Sequence, residues 1–339
     1  MTNRLQIDRS NVPGAVPAAG KSAGVLAVNF PDETLYAYDE AGQPVVVGAG
    51  PYNESLLDNG GFDVWQRGTS FSVSFDHTAD RWIMDASGAT VNVSRDFSYT
   101  QDAIGEGAQI VSKYHVRAIV SVANDNVAFL NRIESVRTAQ NRQVTVSFRA
   151  IGLANYNVKL AQSFGTGGSP SADVSVDQSI PSNGDWAVHK HTFTLATTAG
   201  KTIGTDGNDY LQLTIANQPF ETADFRLADV KVEIGGTYTP YRRKNLGEEQ
   251  VECERFYRSG IIDIALAPKY NSTSNLTRAA TVFFPNRMRK KPTITWQLNG
   301  TTSQGSLTVV AGDGFRIEAT GSGPTTFSYI ASWSANAGY

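Results

Sequence analysis

Apolar and polar residues alternate in short runs along most of the chain, which is the period of strands with one buried face. The alternation is plain in Val144, Val146 and Phe148, and again across 188–193, where His189 and His191 flank Lys190. It opens in 59–82, where Phe62, Val64, Phe71, Val73 and Phe75 alternate with small or polar residues around a turn at Arg67, Gly68, Thr69 and Ser70. Further strands are expected over 81–84, 89–97, 108–122, 127–136, 143–151, 155–164, 173–180, 187–195, 210–215 and 225–234. Glycine-rich loops at 165–171 and 204–209 separate them, and no long segment repeats with the helical period. With 225–234 as the partner of 59–82, residues 53–244 are expected to close into one antiparallel sandwich of jelly-roll type.

Residues 1–52 are too short and too polar to bury a core alone. Strand candidates at 25–29, 34–38 and 42–47 follow a Pro/Gly/Ala-rich stretch at 11–24. Such a segment either orders against other chains or stays a disordered tail; it reads here as an attachment segment. In 245–259, Asn245 with Glu248 three residues on matches a capping box and predicts a short linking helix. Leu246, Val251, Cys253, Phe256 and Tyr257 would cover its buried side, with Glu248, Glu249, Glu252, Arg255 and Arg258 wetter. Cys253 reads as a small buried apolar residue. Residues 260–339 carry six more strand candidates, at 261–266, 278–284, 293–298, 306–310, 315–319 and 326–334. They make a small C-terminal β-sandwich, marginal by size and therefore a candidate for oligomerisation. The basic run Arg287, Arg289, Lys290 and Lys291 reads as a solvated turn or as a contact for phosphate or anionic sugar. The fold class is all-β: attachment segment, central jelly roll, linking helix, C-terminal sandwich.

Composition agrees. Among 339 residues, 31 glycines and 13 prolines with only 18% charged residues favour short strands and many turns. A formal net charge of −3 argues against a general nucleic-acid binder, which would be basic. One cysteine excludes an intrachain disulfide and a thiolate zinc cluster. The N-terminus lacks the apolar run of a signal peptide, and no stretch approaches 18 apolar residues. The chain is therefore expected to stay in a cytoplasm or leave it by lysis, without membrane insertion.

Four pieces in a fixed order resemble bacteriophage tail-fibre and related virion appendage proteins, over nearly the whole chain. They are LAVNFPDETLYAYDEAGQPVVV at 26–47, and LLDNGGFDVWQRGTSF at 56–71 with TADRW at 78–82. Then come FLNRIESVRTAQNRQVTVSFRA at 129–150 with GTGGSPSADV at 165–174, and DVKVEIGGTYTPYRRKNLGEEQVECERFYRSG at 229–260. The resemblance implies an N-terminal segment that docks onto the particle, here through Leu26, Val28, Leu35 and Tyr36. It implies next a jelly roll similar to carbohydrate-binding modules, and a C-terminal tip, the whole assembling as a homotrimer. Partners would be other virion proteins and a host-surface glycan, in a virion assembled in the bacterial cytoplasm. Jelly rolls of that kind hold a structural calcium where first and last strands meet; Asp58, Asn59, Asp63 and Asp229 offer oxygen donors there, or serve as turn and cap residues without a metal.

Catalytic patterns are missing. Gly168-Ser169-Pro170 and Gly305-Ser306-Leu307 do not fit a G-x-S-x-G elbow, and the glycines of 165–168 are not followed by Gly-Lys-Ser/Thr. His189 and His191 share a strand face, a spacing that serves either a metal or an ordinary strand, with no third ligand to name. Asp224 with Asp229, or Asp173 with Asp177, are carboxylates whose separation a sequence does not give. Sugar binding needs aromatic faces beside planar polar groups. Trp65, Trp82, Trp186, Tyr156 and Tyr210 lie in the jelly roll; Trp82 reads as core and Trp186 as exposed. In the tip, Tyr270, Asn271, Asn275 and Trp296 mix aromatics and amides in loops. The expected role is a non-enzymatic fibre or spike that binds host glycan. The alternatives are a head fibre or decoration protein without a receptor, and a polysaccharide depolymerase.

Overall fold

The structure is a computed structural model. It describes the chain except residues 1–6, 11–17, 19, 24, 30–33, 39, 47–53, 87–89, 99–110, 123–126, 154, 180–185, 218–221, 267–275, 300–303, 311–312, 322–326 and 339. The first sheet joins β1 (Ile7–Ser10), β2 (Leu26–Asn29), β3 (Thr34–Tyr38) and β4 (Pro44–Val46) in that order, with β1 parallel to β2 and the rest antiparallel. Its small core is Ala27, Tyr36 and Tyr38. Leu26, Val28 and Leu35 are half-buried, with Val28 opposite Leu35 in register. Tyr36 therefore departs from the expected docking set: it belongs to the buried face, because alternation along β3 puts it opposite Leu35.

The central strands are β5 (Ser70–Val73), β6 (Phe75–His77), β7 (Trp82–Asp85), β8 (Thr90–Phe97), β9 (Tyr114–Val122), β10 (Val127–Glu134), β11 (Gln143–Ile151), β12 (Asn155–Ser163), β13 (Ala172–Ser179), β14 (Ala187–Thr194), β15 (Tyr210–Asn217) and β16 (Ala223–Ile234). They form two six-stranded antiparallel sheets, ordered β14-β11-β16-β9-β8-β5 and β13-β12-β15-β10-β7-β6. Alternate residues of each strand meet between the sheets: Val144, Val146 and Phe148 from one, Phe129, Val158, Leu160, Leu213 and Ile215 from the other. Trp82 is fully buried, tilted against Phe62 at 4.9 Å and edge-on to Phe129 at 6.4 Å. Burying side chains of this size contributes roughly 2–3 kcal/mol each, which makes this the main core of the chain. The central strands lie close to their expected positions, but 61–69 is loop and turn, so Phe62 and Val64 reach the core without a strand.

The opening segment meets β16 through the backbone: Leu56 N–H donates to Val232 O at 2.7 Å, and Val230 N–H to Gly60 O at 2.9 Å. After β16 the chain turns back as a strap across the outer face of the sheet β14-β11-β16-β9-β8-β5. There Lys231 and Glu233 are fully buried and 2.9 Å apart, and Glu233 accepts from Thr239 N–H at 2.8 Å and Thr239 Oγ1 at 2.5 Å. A buried ion pair needs such extra donors, since the desolvation of both charges opposes it.

The strap leads to α1 (Leu246–Glu254), whose N-cap Asn245 accepts from Gly247 N–H at 2.8 Å. The expected buried side holds at Cys253 and Phe256 and fails at Leu246, Val251 and Glu249. Leu246 and Val251 are exposed, while Glu249, Cys253 and Phe256 are buried. Glu249 turns inward because the opening turn presents the Asn59 N–H to it. Then come β17 (Tyr257–Leu266), β18 (Leu276–Phe283), β19 (Thr293–Asn299), β20 (Gln304–Val310), β21 (Gly314–Gly321) and β22 (Phe327–Asn336), in two three-stranded sheets ordered β17-β22-β19 and β18-β21-β20. Their core is small: Phe284, Met288, Phe315, Ala335 and Ala337, with Trp296 and Trp333 packed against it.

Candidate functional site

The two outer faces of the central sandwich differ. One lies under the strap. The other, on β12, β15, β10 and β7, carries a second apolar cluster of its own: Ile83, Ala128, Leu130 and Ala216, each 4–7% exposed. These residues alternate with the inward-facing core positions, so the run Val127–Leu130 is apolar on both faces.

Register places longer polar side chains around this floor. One row across the sheet reads Asp177, Asn157, Ala216, Ala128, Asp85, Phe75. The next reads Ser175, Lys159, Thr214, Leu130, Ile83, His77, and beyond it lie Gln212 and Arg132, then Tyr210 and Glu134. At ~4.8 Å between strands, a row spans about 24 Å. Hydrogen bonds hold the rim in order. Asn157 Nδ2 donates to Asp177 at 2.8 Å, Lys159 lies 3.9 Å from Asp173, and Arg132 Nε donates to Gln212 Oε1 at 2.9 Å with its guanidinium 4.6 Å over the Tyr210 ring. Burial first, and then the Arg67 charge, lowers the His77 pKa to about 4, so it is neutral at pH 7. Phe75 stands 59% exposed at the edge strand. Amides, a guanidinium, carboxylates and aromatic rings set around an apolar cluster are the groups that hydrogen-bond sugar hydroxyls and pack against a pyranose face.

The C-terminal sheets abut one end of this face. Glu134 meets Arg255 at 2.8 Å and Arg289 at 3.4 Å, while Lys290 Nζ donates to Asn208 Oδ1 at 2.8 Å and Arg289 to Gly207 O. Two residues of the basic run are thus part of the contact with the jelly roll, neither a bare turn nor an anion site.

Among the described aromatic residues expected to bind glycan, Tyr210 alone is on this face. Tyr156 is 1% exposed; its hydroxyl lies 2.8 Å from His189 Nδ1 and 3.1 Å from His191 Nε2, inside the core. That corrects its assignment, and it accounts for the histidine pair: inward-facing and partnered by a tyrosine. Trp186 is half-buried against His115 of β9, ring centroids 5.3 Å apart, and so belongs to the other sheet. Trp296 is no loop residue; it is half-buried on β19 against the C-terminal core. Tyr270, Asn271 and Asn275 lie outside the described residues. Sequence reasoning missed the face because its floor is aliphatic. The signal was the unbroken apolar run 127–130, which an antiparallel strand with one solvated side would not carry.

The seam residues expected to cage calcium are each engaged elsewhere. Asp58 meets Arg81 at 3.0 Å, and Asp63 takes a two-pronged contact from Arg243 at 2.8 and 3.1 Å. Asp229 accepts from the N–H groups of Val111 and Ser112 at 2.9 Å and lies 3.1 Å from Arg149. Asn59 bonds Val64 and the Asp80 carbonyl. Among the described residues no group of three or more His, Cys, Asp or Glu is arranged for a metal. Arginines and backbone donors close the seam for which a calcium cage and metal-free turn and cap roles were the two readings.

No family model matches the chain, and no curated protein matches it. Among solved structures, the enzymatically active domain of bacteriophage CBA120 tailspike protein 4 aligns with a TM-score of 0.36 and 13% identity, covering 58% of this chain and 24% of that one. A family 61 carbohydrate-binding module in complex with β-1,4-galactotriose aligns with a TM-score of 0.31 and 13% identity, covering 53% and 99%. The CBM22-1 xylan-binding domain of Paenibacillus barcinonensis Xyn10C gives 0.32 and 11%, covering 56% and 100%. Likeness at this level leaves function to be argued from the chain's own residues.

Proposed function

We propose that this protein is a non-enzymatic fibre or spike of a bacteriophage particle that holds host-surface glycan on the outer face of β12, β15, β10 and β7. The observation that carries the reading is the apolar cluster of Ile83, Ala128, Leu130 and Ala216 inside its ring of planar polar groups. The virion setting is supported by the order of the four sequence pieces that resemble tail-fibre proteins. On this reading the N-terminal sheet attaches to other virion proteins and the particle is assembled in the bacterial cytoplasm. The small core of the C-terminal sheets supports a homotrimer, as strands with so little to bury gain most from neighbours. Three shallow sites on one rigid particle reach useful avidity through effective concentration.

Geometry supports the absence of catalysis. Asp173 and Asp177 are four residues apart on β13, about 13 Å, beyond the roughly 5–10 Å of paired glycosidase carboxyls. Asp224 is clamped by Arg117 at 2.8 and 2.5 Å, and Asp229 is held as described. The test is binding of the full chain to an array of bacterial surface glycans, beside a reducing-end release assay. Binding without release is expected, and Gln212→Ala or Arg132→Ala should weaken it about 10-fold, the ~1.4 kcal/mol of one good hydrogen bond. Release of reducing ends, or binding indifferent to both variants, would overturn the reading.

A further inference from the structure

The strap covers the opposite face of the sandwich at one end, where Tyr238 and Thr239 meet Lys190, Lys231 and Glu233. Beyond it three arginines come together. Arg226 of β16 stands directly opposite Arg117 of β9 in register, and Arg149 of β11, paired with Ala228, is its diagonal neighbour on the other side. Such positions are about 5 and 7–8 Å apart, close enough for like charges to repel. Two of the three are matched by carboxylates: Arg117 lies 2.5 Å from Asp224 and 3.9 Å from Asp96, and Arg149 lies 3.1 Å from Asp229.

Arg226 is different. It is half-buried, and its guanidinium makes no hydrogen bond or ion pair among the described residues. Its Nε is buried without an acceptor, and so is Arg149 Nη1; His115 Nε2, on neighbouring β9, is also buried without a partner. The two Nη groups of Arg226 are not among the buried unpartnered atoms, so they reach solvent. Trp186 and His115 start from strands three apart in the sheet, ~14 Å, yet their rings lie 5.3 Å from each other. They therefore meet above β11 and β16, close enough to Arg226 for its charge to act on His115. Unpaired buried donors beside three neighbouring guanidiniums cost stability unless an acceptor comes from outside the chain.

We propose that Arg226, backed by Arg149, is an oxyanion site that takes a carboxylate, sulfate or phosphate group, with the Trp186 ring alongside. The planar fork of a guanidinium matches the paired oxygens of such groups, and the other two arginines add to the attraction. The site is on the far side of the sandwich from β12, β15, β10 and β7 and does not depend on the reading of that face.

The experiment is titration calorimetry on the full chain with inorganic phosphate, inorganic sulfate, and a uronate oligosaccharide beside its carboxyl-reduced neutral form. Wild type is expected to bind an anion, to bind the reduced sugar at least about 10-fold more weakly than the uronate, and to lose affinity as salt rises. Arg226→Gln should weaken anion binding by about 10-fold or more, the effect of one charge-assisted hydrogen bond, while Gln212→Ala on the opposite face leaves it unchanged. In anion-free buffer Arg226→Gln should melt at or above the wild-type temperature, because it removes repulsion and breaks no contact. Trp186→Ala separates the sources: loss of the uronate alone assigns the site to a sugar-borne acid, and no loss assigns it to the free ion, either result upholding the site. Failure of every anion to bind, binding indifferent to Arg226→Gln, or an anion-free variant that melts below wild type would overturn the proposal, the last by giving Arg226 a purely structural role.

Discussion

The carboxyl of Glu249, on the linking helix, accepts the backbone N–H of Asn59, 190 residues earlier in the chain. Asn59 has a left-handed backbone at φ 57°, and its side chain spans Val64 and the Asp80 carbonyl. Burial, opposed by that hydrogen bond and by Lys244, raises the Glu249 pKa to about 7.

This gives a pH dependence with a definite sign. A carboxyl with a raised folded pKa favours folding while it stays protonated in the folded state alone. Its contribution is complete below the unfolded value of 4.5 and is lost as pH rises towards 7. Glu249→Gln keeps an acceptor and removes the titration. Thermal melts of wild type against Glu249→Gln should diverge from pH 4.5 to 7, wild type falling behind as pH rises. Parallel curves would show that Glu249 ionises at its ordinary pH.

Three histidines act in the opposite direction. Burial lowers the pKa of His77, His115 and His189 to about 4. A depressed folded pKa gives stability that is complete above the unfolded value near 6.5 and is lost as pH falls through 4. Each of the well-buried pair, His115 and His189, is worth on the order of 2 kcal/mol over that window. Acid unfolding followed by near-ultraviolet dichroism should begin below pH 6.5, and His189→Gln should shift its onset to lower pH.

Removing one member of the buried Lys231–Glu233 pair strands the other. Glu233→Ala is expected to cost about 3–5 kcal/mol, whereas Lys231→Met with Glu233→Leu should come within ~1–2 kcal/mol of wild type. Urea denaturation of the single and double variants measures both. A mild single variant would mean that water reaches Lys231 beneath the strap.

Gly60 touches β16 with no room for a side chain: a Cβ there would lie 2.1 Å from Val230 O. Gly60→Ala should destabilise by more than about 2 kcal/mol, since either the Val230–Gly60 hydrogen bond or the turn must yield. Hydrogen exchange at the Val230 amide reports which gives way.

Strand positions were readable because period-two alternation survives wherever one face is buried. The helix was readable from Asn245, but its buried side was not. Leu246 and Val251 look like core residues until the opening turn offers Glu249 a donor that only the folded chain brings near. The same limit hid Tyr156, whose alternation was correct while its buried partners sit on β14, more than thirty residues away. The face around Ile83, Ala128, Leu130 and Ala216 was hidden for another reason. Its polar members come from six strands, and only the register between them shows Asn157, Gln212 and Asp85 bordering one floor.

The chain enters and leaves the sandwich at one place, where Leu56 and Gly60 bond β16. Tension between the N-terminal and C-terminal sheets would therefore reach these few backbone bonds and the Glu249 contact first, and pass by the inter-sheet core. Mechanically, the jelly roll hangs from a short tether: a pull between the chain's two ends would load the junction and leave the sheet of β12, β15, β10 and β7 undistorted.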